Sequence, residues 1–539
     1  MTHPMYRLPL AQRVIGPILA ERARADGARP YLTYEGATFT FREADRIARS
    51  VARGMTDLGV KRGDRIALLL PNGPEFVWAW YATALLGAPM VPINSTYTGS
   101  LLEYVLRDSD ARGVVVHRDL VGALASIATD VRHRLEWIAV VGGINGVVLP
   151  DGQNRWLDFA ALAATAGPDP EVPCDHTDIQ SIMYTSGTTG PSKGVIMPNG
   201  HFFASAMVFL RALALTTDDV LFTPLPLFHG LASRLGALPC LMMGAHIVIA
   251  PKFSASQFWE QVCKANATVA HTIFSLPPML KAQPPSPLER RHRLRAMYNS
   301  NYDAEFEARF NVRVVEAYGL TETGLTIYTE WPDRRPGSCG RIDDDWEANV
   351  VDDTGLSVPT GETGELVCRP KRASIMMEGY LNKPAETLAS IRNLWFHTGD
   401  YAHRDEAGYF YFSGRKKERI RRRGENISSW EIERVVNAHP LVAESAAVAH
   451  PSPVGEDDVR LVVVLSQGAT MDPLQFIAWI AERLPPLMVP RYLEFVTEMP
   501  RTPSNKVEKY KLIADGLTPG AWDREAAGYK LKDERERNK

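Results

Sequence analysis

The segment Tyr184-Thr185-Ser186-Gly187-Thr188-Thr189-Gly190-Pro191-Ser192-Lys193-Gly194-Val195 concentrates the groups that hold a polyphosphate. Gly187, Gly190 and Gly194 permit positive φ and close backbone approach. Thr185, Ser186, Thr188 and Thr189 donate hydrogen bonds without adding charge, and Lys193 supplies one movable cation. Consecutive backbone N–H groups in such a loop form an anion nest. The strand-like run Ile182-Met183-Tyr184 leads into it. It is not a Walker A loop, which requires G-x-x-x-x-G-K-[ST]: here the lysine follows Ser192 and precedes Gly194. A second concentration of charge lies at 415–423, where seven of nine residues are Arg or Lys. Alone, such a run suggests nucleic acid or a localisation signal. The rest of the chain offers no matching basic signal, and the net charge is −3.

The glycine-rich loop resembles the phosphate-binding signature of the adenylate-forming superfamily, which comprises acyl-CoA synthetases, adenylation domains of peptide synthetases and luciferases. Four further motifs follow in that family's order. Tyr318-Gly319-Leu320-Thr321-Glu322-Thr323 resembles its adenine and Mg²⁺ motif, and Thr398-Gly399-Asp400 its ribose motif. Gly414-Arg415-Lys416-Lys417-Glu418 through Gly424-Glu425-Asn426-Ile427 resembles its hinge and thiol-tunnel segment. Pro500-Arg501-Thr502-Pro503-Ser504-Asn505-Lys506 resembles its catalytic-lysine loop. The likeness covers nearly the whole chain. Val91–Asn94, Tyr298–Phe310 and Arg421–Ser428 are similar to crotonobetaine/carnitine–CoA ligase-like members in particular.

The resemblance implies an ATP-dependent carboxylic acid–CoA ligase. Acid and ATP would give acyl-AMP and pyrophosphate, and CoA would then give acyl-CoA and AMP. Joining two anions makes charge neutralisation the central problem. ATP, Mg²⁺ and coenzyme A are the implied cofactors. Glu322 would bind Mg²⁺, Thr321 the α-phosphate, Tyr318 the adenine face and Asp400 the ribose hydroxyls, assisted by Arg415. Thr185, Ser186, Gly187, Thr188, Thr189, Gly190 and Lys193 would hold phosphate. Lys506 would bridge the substrate carboxylate and the α-phosphate, and His229, in Pro226-Leu227-Phe228-His229-Gly230, would stand near the reacting carboxylate. Lys417 would be the hinge about which the C-terminal module turns between the two half-reactions, and Gly424 would let backbone pass the CoA thiol. By the same resemblance, Lys506, His229, Glu322 and Thr185 would form the catalytic set. Two departures from the family pattern stand out. Asn505 replaces a usual glycine, and asparagine is the residue most tolerant of left-handed φ after glycine. Tyr298-Asn299-Ser300-Asn301-Tyr302-Asp303 replaces a usual Gly-Gly-Ala-Pro. Two other functions stay open: loading of a separate carrier protein, and a non-catalytic acyl- or nucleotide-binding homologue.

These residues need elements to position them. The chain has 539 residues, of which 45% are apolar and 23% charged, in the range of ordinary globular proteins. Strand-like runs at Ile66–Leu70, Met90–Ile93, Gly113–His117, Val220–Thr223, His246–Ala250 and Thr268–Phe274 alternate with helical patterns such as Pro74–Leu86. That order predicts α/β layers with largely parallel sheets. From about residue 340, turn-plus-strand repeats predict a small β subdomain. After Gly414, a helix at Ser429–Ala438, strands at 446–449, 461–465 and 492–496, and a helix at Pro473–Leu484 predict an α+β module. The expected division is a body at 1–414 and a mobile cap at 415–539, with the hinge at 415–418. Five scattered cysteines form no C-x-x-C motif and read as reduced, mostly buried thiols. The N-terminus lacks a signal-peptide pattern. Phe76–Val91 and Leu235–Ala250 are interrupted by Gly, Pro or His and read as core. The expected partners are small molecules, with no nucleic acid and no integral membrane association. The expected location is cytoplasmic, and the reading allows a homodimer.

Overall fold

The computed structural model describes residues 8–148, 154–170, 172–185, 192–273, 276–299, 302–415, 420–422, 425–427, 429–452, 455–500, 507 and 509–531. Two large mixed sheets dominate the first 380 residues. In one, Ile66–Leu69, Met90–Pro92, Gly113–His117, Trp137–Val141 and Arg155–Asp158 run parallel. Ile179–Thr185 pairs in parallel with Met90–Pro92. Ile66–Leu69 and Trp137–Val141 are buried at every position, as expected of strands covered on both faces. Gly113 has a steric reason to be glycine: a Cβ there would sit 2.2 Å from the Trp137 ring. In the other sheet, Val220–Thr223, His246–Ile249, Val269–His271, Ala296–Tyr298 and Arg313–Val315 are parallel. An antiparallel pair lies at an edge of each sheet: Pro30–Tyr34 with Ala37–Thr40, and Gly379–Tyr380 with the strand Lys193–Pro198.

Helices cover these sheets. Phe41–Asp57 opens on a capping box in which Thr40 and Glu43 satisfy each other's backbone N–H. Pro74–Leu85 has proline in its first turn and buries Phe76, Trp78, Trp80 and Tyr81, so it is a core helix apolar on all sides. Asn199–Leu213 is likewise buried almost throughout. The apolar stretches Phe76–Val91 and Leu235–Ala250 lie in the core, and among the described residues no helix is long and apolar enough to cross a membrane. Trp346–Val351, Gly364–Pro370, Trp395–Arg404 and Phe410–Arg415 form the antiparallel β subdomain. The five cysteines are free, but only Cys240 and Cys368 are fully buried; Cys174, Cys263 and Cys339 are half-buried. Burial raises the Cys174 thiol to about 11 and Cys339 and Cys368 to about 12, which leaves these three protonated near neutrality.

The chain divides into two compact units. One contains Met1–Ser95, Leu102–Tyr184 and Gly194–Lys416; the other contains Thr96–Leu101, Thr185–Lys193 and Lys417–Lys539. The grouping of 96–101 and 185–193 with C-terminal residues has no counterpart in a linear division at 414/415. In the second unit, Val442–Pro451, Asp457–Leu465, Tyr492–Val496 and Trp522–Asp523 form a sheet. Its core includes Ile432, Val436, Leu461, Val463, Phe476, Ile477 and Ile480. Strand limits extend past the sequence expectation at 446–449 and 461–465, because a long antiparallel ladder recruits flanking polar residues such as Glu444 and Asp458.

Part of the basic run is structural. Arg422 is 4% exposed; its Nη1 donates to the carbonyls of Leu487 and Val489, and its Nε lies 3.4 Å from Asp458. It is thus neither a solvated cation nor one free to present to phosphate. Arg422→Met is expected to destabilise this unit by about 2–4 kcal/mol, since it leaves two carbonyls without their donor and removes one of the two arginines that face buried Asp458, the other being Arg491. Chemical denaturation of the second unit measures it; an unchanged midpoint would contradict the assignment.

Candidate active site

The nucleotide motif forms a tight antiparallel hairpin. Strand Ala317–Leu320 pairs with Gly324–Tyr328, with a register shift between Tyr318 and Gly319. Two glycines permit the turn. A Cβ on Gly319 would lie 2.1 Å from the Gly324 carbonyl oxygen. Gly324 has φ +69°, and a Cβ there would lie 1.9 Å from Ser205 Oγ on the helix Asn199–Leu213. Thr323 staples the turn: its Oγ1 accepts from Leu320 N at 3.3 Å and donates to Gly324 O at 3.0 Å.

Glu322 lies at the tip of this hairpin, 8% exposed. The Tyr380 hydroxyl donates to its Oε1 at 2.9 Å, and Met377 N donates to its carbonyl at 2.9 Å. Tyr380 is itself placed by main-chain pairing with Val195, on the strand that leaves the glycine-rich loop. Gly194 allows that strand to pass: a Cβ would meet Ile182 at 2.9 Å and Tyr184 at 3.1 Å. At the base of the hairpin, Tyr318 is half-buried and donates its hydroxyl to Asp400 Oδ2 at 2.8 Å. Burial and the Asp400 charge push the Tyr318 phenol far above its ordinary value, so it stays a donor. Asp400 is 3% exposed, its N–H bonds Thr398 Oγ1, and it pairs across strands with Arg415. Thr321 is half-buried beside Glu322.

A second loop carries His229. Asn72, in the Pro71-Asn72-Gly73 turn, donates to the carbonyls of Leu225 and Ala250, and its Oδ1 accepts from Leu227 N at 2.8 Å. This staple fixes the loop before His229, whose exposed ring lies 4.6 Å from that of Phe228. His201 is buried behind the nucleotide hairpin. Burial and the neighbouring Arg234 hold its imidazole far below the usual value, so it is neutral. The sequence reading missed His201, Arg234 and Tyr380, because each lies outside a recognisable motif. Asn72 was legible only as a turn residue.

The departure at 298–303 is tied to this site. Asn299 is buried, and Asp303 caps the helix Ala304–Phe310. Tyr302 N donates to Glu316 Oε1 and Gly337 N to Oε2. In the second unit, Thr185 ends its strand half-buried, Lys193 is half-buried, and buried Ser192 donates to Glu431. Ser186, Gly187, Thr188, Thr189, Gly190, Lys417, Gly424, Asn505 and Lys506 lie outside the described residues, as does the Arg415 side chain.

Among the described residues, no group of three or more His, Cys, Asp or Glu side chains could hold a metal ion by itself. Glu322 fits the other arrangement used for Mg²⁺, in which one or two carboxylates act together with substrate phosphates.

Two family models match this chain: the AMP-binding enzyme over residues 19–381, and the AMP-binding enzyme C-terminal domain over 431–506. A crotonobetaine/carnitine–CoA ligase of Salmonella typhi is 33% identical, over 84% of this chain and 89% of its own. Among solved structures, a Mycobacterium tuberculosis fatty acyl CoA synthetase is similar at TM-score 0.66 and 26% identity, over 94% of this chain and 98% of its own. A double mutant of o-succinylbenzoate CoA synthetase from Bacillus subtilis shares the fold at TM-score 0.78 and 24% identity, over 92% of this chain and 98% of its own. The chain belongs to the AMP-binding enzyme family. Within it, the relatives place it among the AMP-forming acyl-CoA ligases, which use ATP and CoA.

Glu316 gives this site a pH signature. Burial raises its carboxyl from 4.5 to about 7, against the pull of the Gly337 and Tyr302 N–H groups. A carboxyl with a raised folded-state value stabilises the fold fully below its unfolded value and loses that contribution as pH rises through the folded value. Stability should therefore fall between pH 4.5 and about 7. Glu316→Gln should flatten that slope in denaturation series; an unchanged slope would contradict the assignment.

Proposed function

We propose that the chain activates a carboxylic acid by joining it to the α-phosphorus of ATP and then transfers the acyl group to CoA. The observation that carries this reading is the hairpin that sets buried Glu322 against Tyr380 and Tyr318 against Asp400. In the first step a carboxylate oxygen of the acid attacks the α-phosphorus and pyrophosphate leaves. In the second, the CoA sulfur attacks the acyl carbon and AMP leaves with the oxygen it received.

The residues divide this work. Asp400 accepts from the ribose hydroxyls, and Tyr318 fixes the carboxylate that does so while its ring supports adenine. Thr321 donates to the α-phosphate. Tyr380 orients Glu322 toward the phosphates, where the Mg²⁺ it helps hold would neutralise oxyanion charge. Thr185, Ser186, Thr188, Thr189 and Lys193, with the backbone of Gly187 and Gly190, cradle phosphate. His229 stands at the reacting carboxylate. Lys506 bridges that carboxylate and the α-phosphate in the first step only, and rotation about Lys417 withdraws it for the second, when Gly424 admits the thiol. Two poses suit two reactions that need opposite charge arrangements.

Lys506→Ala should therefore lose acid-dependent pyrophosphate exchange by about 10²-fold or more, yet still convert supplied acyl-AMP to thioester. Equal loss of both half-reactions in a folded variant would overturn the role of Lys506. Tyr380→Phe leaves Glu322 without its donor and should raise the KM for ATP by about fivefold to tenfold, with little change in the KM for the acid. Steady-state kinetics separates the two.

A further inference from the structure

Arg234 differs from several other inward-facing arginines. Buried Arg460 is paired with Glu494 and buried Arg422 with Asp458 and two carbonyls, and half-buried Arg211 with Asp343. Arg234 is 6% exposed, yet no carboxylate lies within ion-pair distance of it among the described residues. Its one side-chain hydrogen bond is from Nη1 to His201 Nδ1 at 3.3 Å, a neutral acceptor, and its Nε has no hydrogen-bond partner. The guanidinium lies 6.0 Å from the centre of the Phe202 ring. A buried cation facing a neutral imidazole and an aromatic ring is costly unless an anion completes it. Burial lowers its pKa to about 10, against the pull of Tyr298 and of the Glu322 carboxylate, which acts on it from beyond ion-pair distance, and this still leaves it charged near neutrality.

The backbone puts it there by an uncommon route. Leu235 N bonds Gly230 O, and Ala237 N bonds Ala232 O, so Ser233–Ala237 is a π-helical turn with one extra residue in its hydrogen-bonded ring. Such turns cluster at functional sites. All five of its residues are buried. Gly230 lies beside the guanidinium: a Cβ there would stand 3.4 Å from its Nε and Nη2, in van der Waals contact. The cation is thus flanked by the backbone next to His229 and by His201. The other side of His201 reaches the nucleotide hairpin, where its Cε1 is 3.6 Å from the Cβ position of Gly324.

We propose that Arg234 binds a second anionic group on the acyl chain, so that the enzyme prefers dicarboxylic acids to monocarboxylic ones and rejects acids that end in a quaternary ammonium. The inference rests on the ligase reading for the location of the acid. It assigns the tail of that acid, which the motifs leave open. A charge-assisted, paired contact in a desolvated site discriminates strongly against a ligand that leaves the cation bare.

The test is calorimetric titration of the full chain with a homologous series of linear dicarboxylates, each beside its chain-matched monocarboxylate, and with carnitine as the cationic probe. The expected result is at least about tenfold tighter binding of the best dicarboxylate than of its monocarboxylate, and no carnitine binding. Arg234→Met should erase the difference, and Arg234→Lys should restore much of it. Circular dichroism and thermal melting report whether each variant is folded, and ATP titration is run separately. Equal binding of the matched acids by the unaltered protein would overturn the proposal, as would absence of binding by any acid. Loss of ATP affinity in a folded Arg234→Met that keeps the acid preference would also overturn it, assigning the cation to phosphate instead. Pyrophosphate exchange separates the two readings. Exchange without charge preference overturns only the role of Arg234. Charge-selective binding without exchange overturns only the ligase reading.

Discussion

Backbone meets backbone at Gly319 and Gly324, and the nucleotide motif depends on that contact. With any side chain at 319 the two strands of the hairpin could not close, and with one at 324 the hairpin could not lie on Ser205. Once it is closed, Thr323 bonds both sides of the turn, and Glu322 is left at the tip facing Tyr380. Tyr318, at the other end of the first strand, reaches Asp400. Two polar contacts from separate sheets are thus referred to one short, stiff element. Preorganisation of this kind lets a site meet developing charge without reorganising.

The same logic recurs at the second loop. A single buried amide, Asn72, uses both its donor and its acceptor functions to hold Leu225, Leu227 and Ala250. The loop then passes His229 and enters the wide turn that buries Arg234. Two glycines, at 194 and 324, make room where another side chain comes close. At 194 packing alone disfavours a side chain, and at 324 a left-handed φ adds to the steric demand.

Much of this was legible in the sequence. The parallel-sheet architecture followed from short apolar runs alternating with helical patterns, and strands such as Gly113–His117, Val220–Thr223 and Tyr492–Val496 fall at their expected limits. The motif residues Tyr318, Glu322 and Asp400 could be read because their chemistry is local to a few residues. Tyr380, His201 and Arg234 could not. Tyr380 reaches Glu322 only through sheet pairing with Val195, 185 residues earlier. Arg234 lies in a stretch that reads as apolar core, and a π-helical turn has no distinctive sequence period. The basic run at 415–423 misled in part, since composition does not distinguish an arginine that tethers carbonyls, as Arg422 does, from one that meets phosphate. Three cysteines are less buried than the sequence suggests, because half-burial in loops, as at Cys174 and Cys339, or near a helix end, as at Cys263, leaves no pattern in the sequence.

One bond defines the first step: an oxygen of the acid must become bonded to the α-phosphorus of ATP. Supplying the acid with both carboxylate oxygens replaced by heavy oxygen, together with ATP and CoA, follows that bond directly by mass spectrometry of the products. An acyl-adenylate route transfers one heavy oxygen into the phosphate of AMP and leaves pyrophosphate unlabelled. Heavy oxygen in inorganic phosphate, or thioester formed with unlabelled AMP, would contradict it.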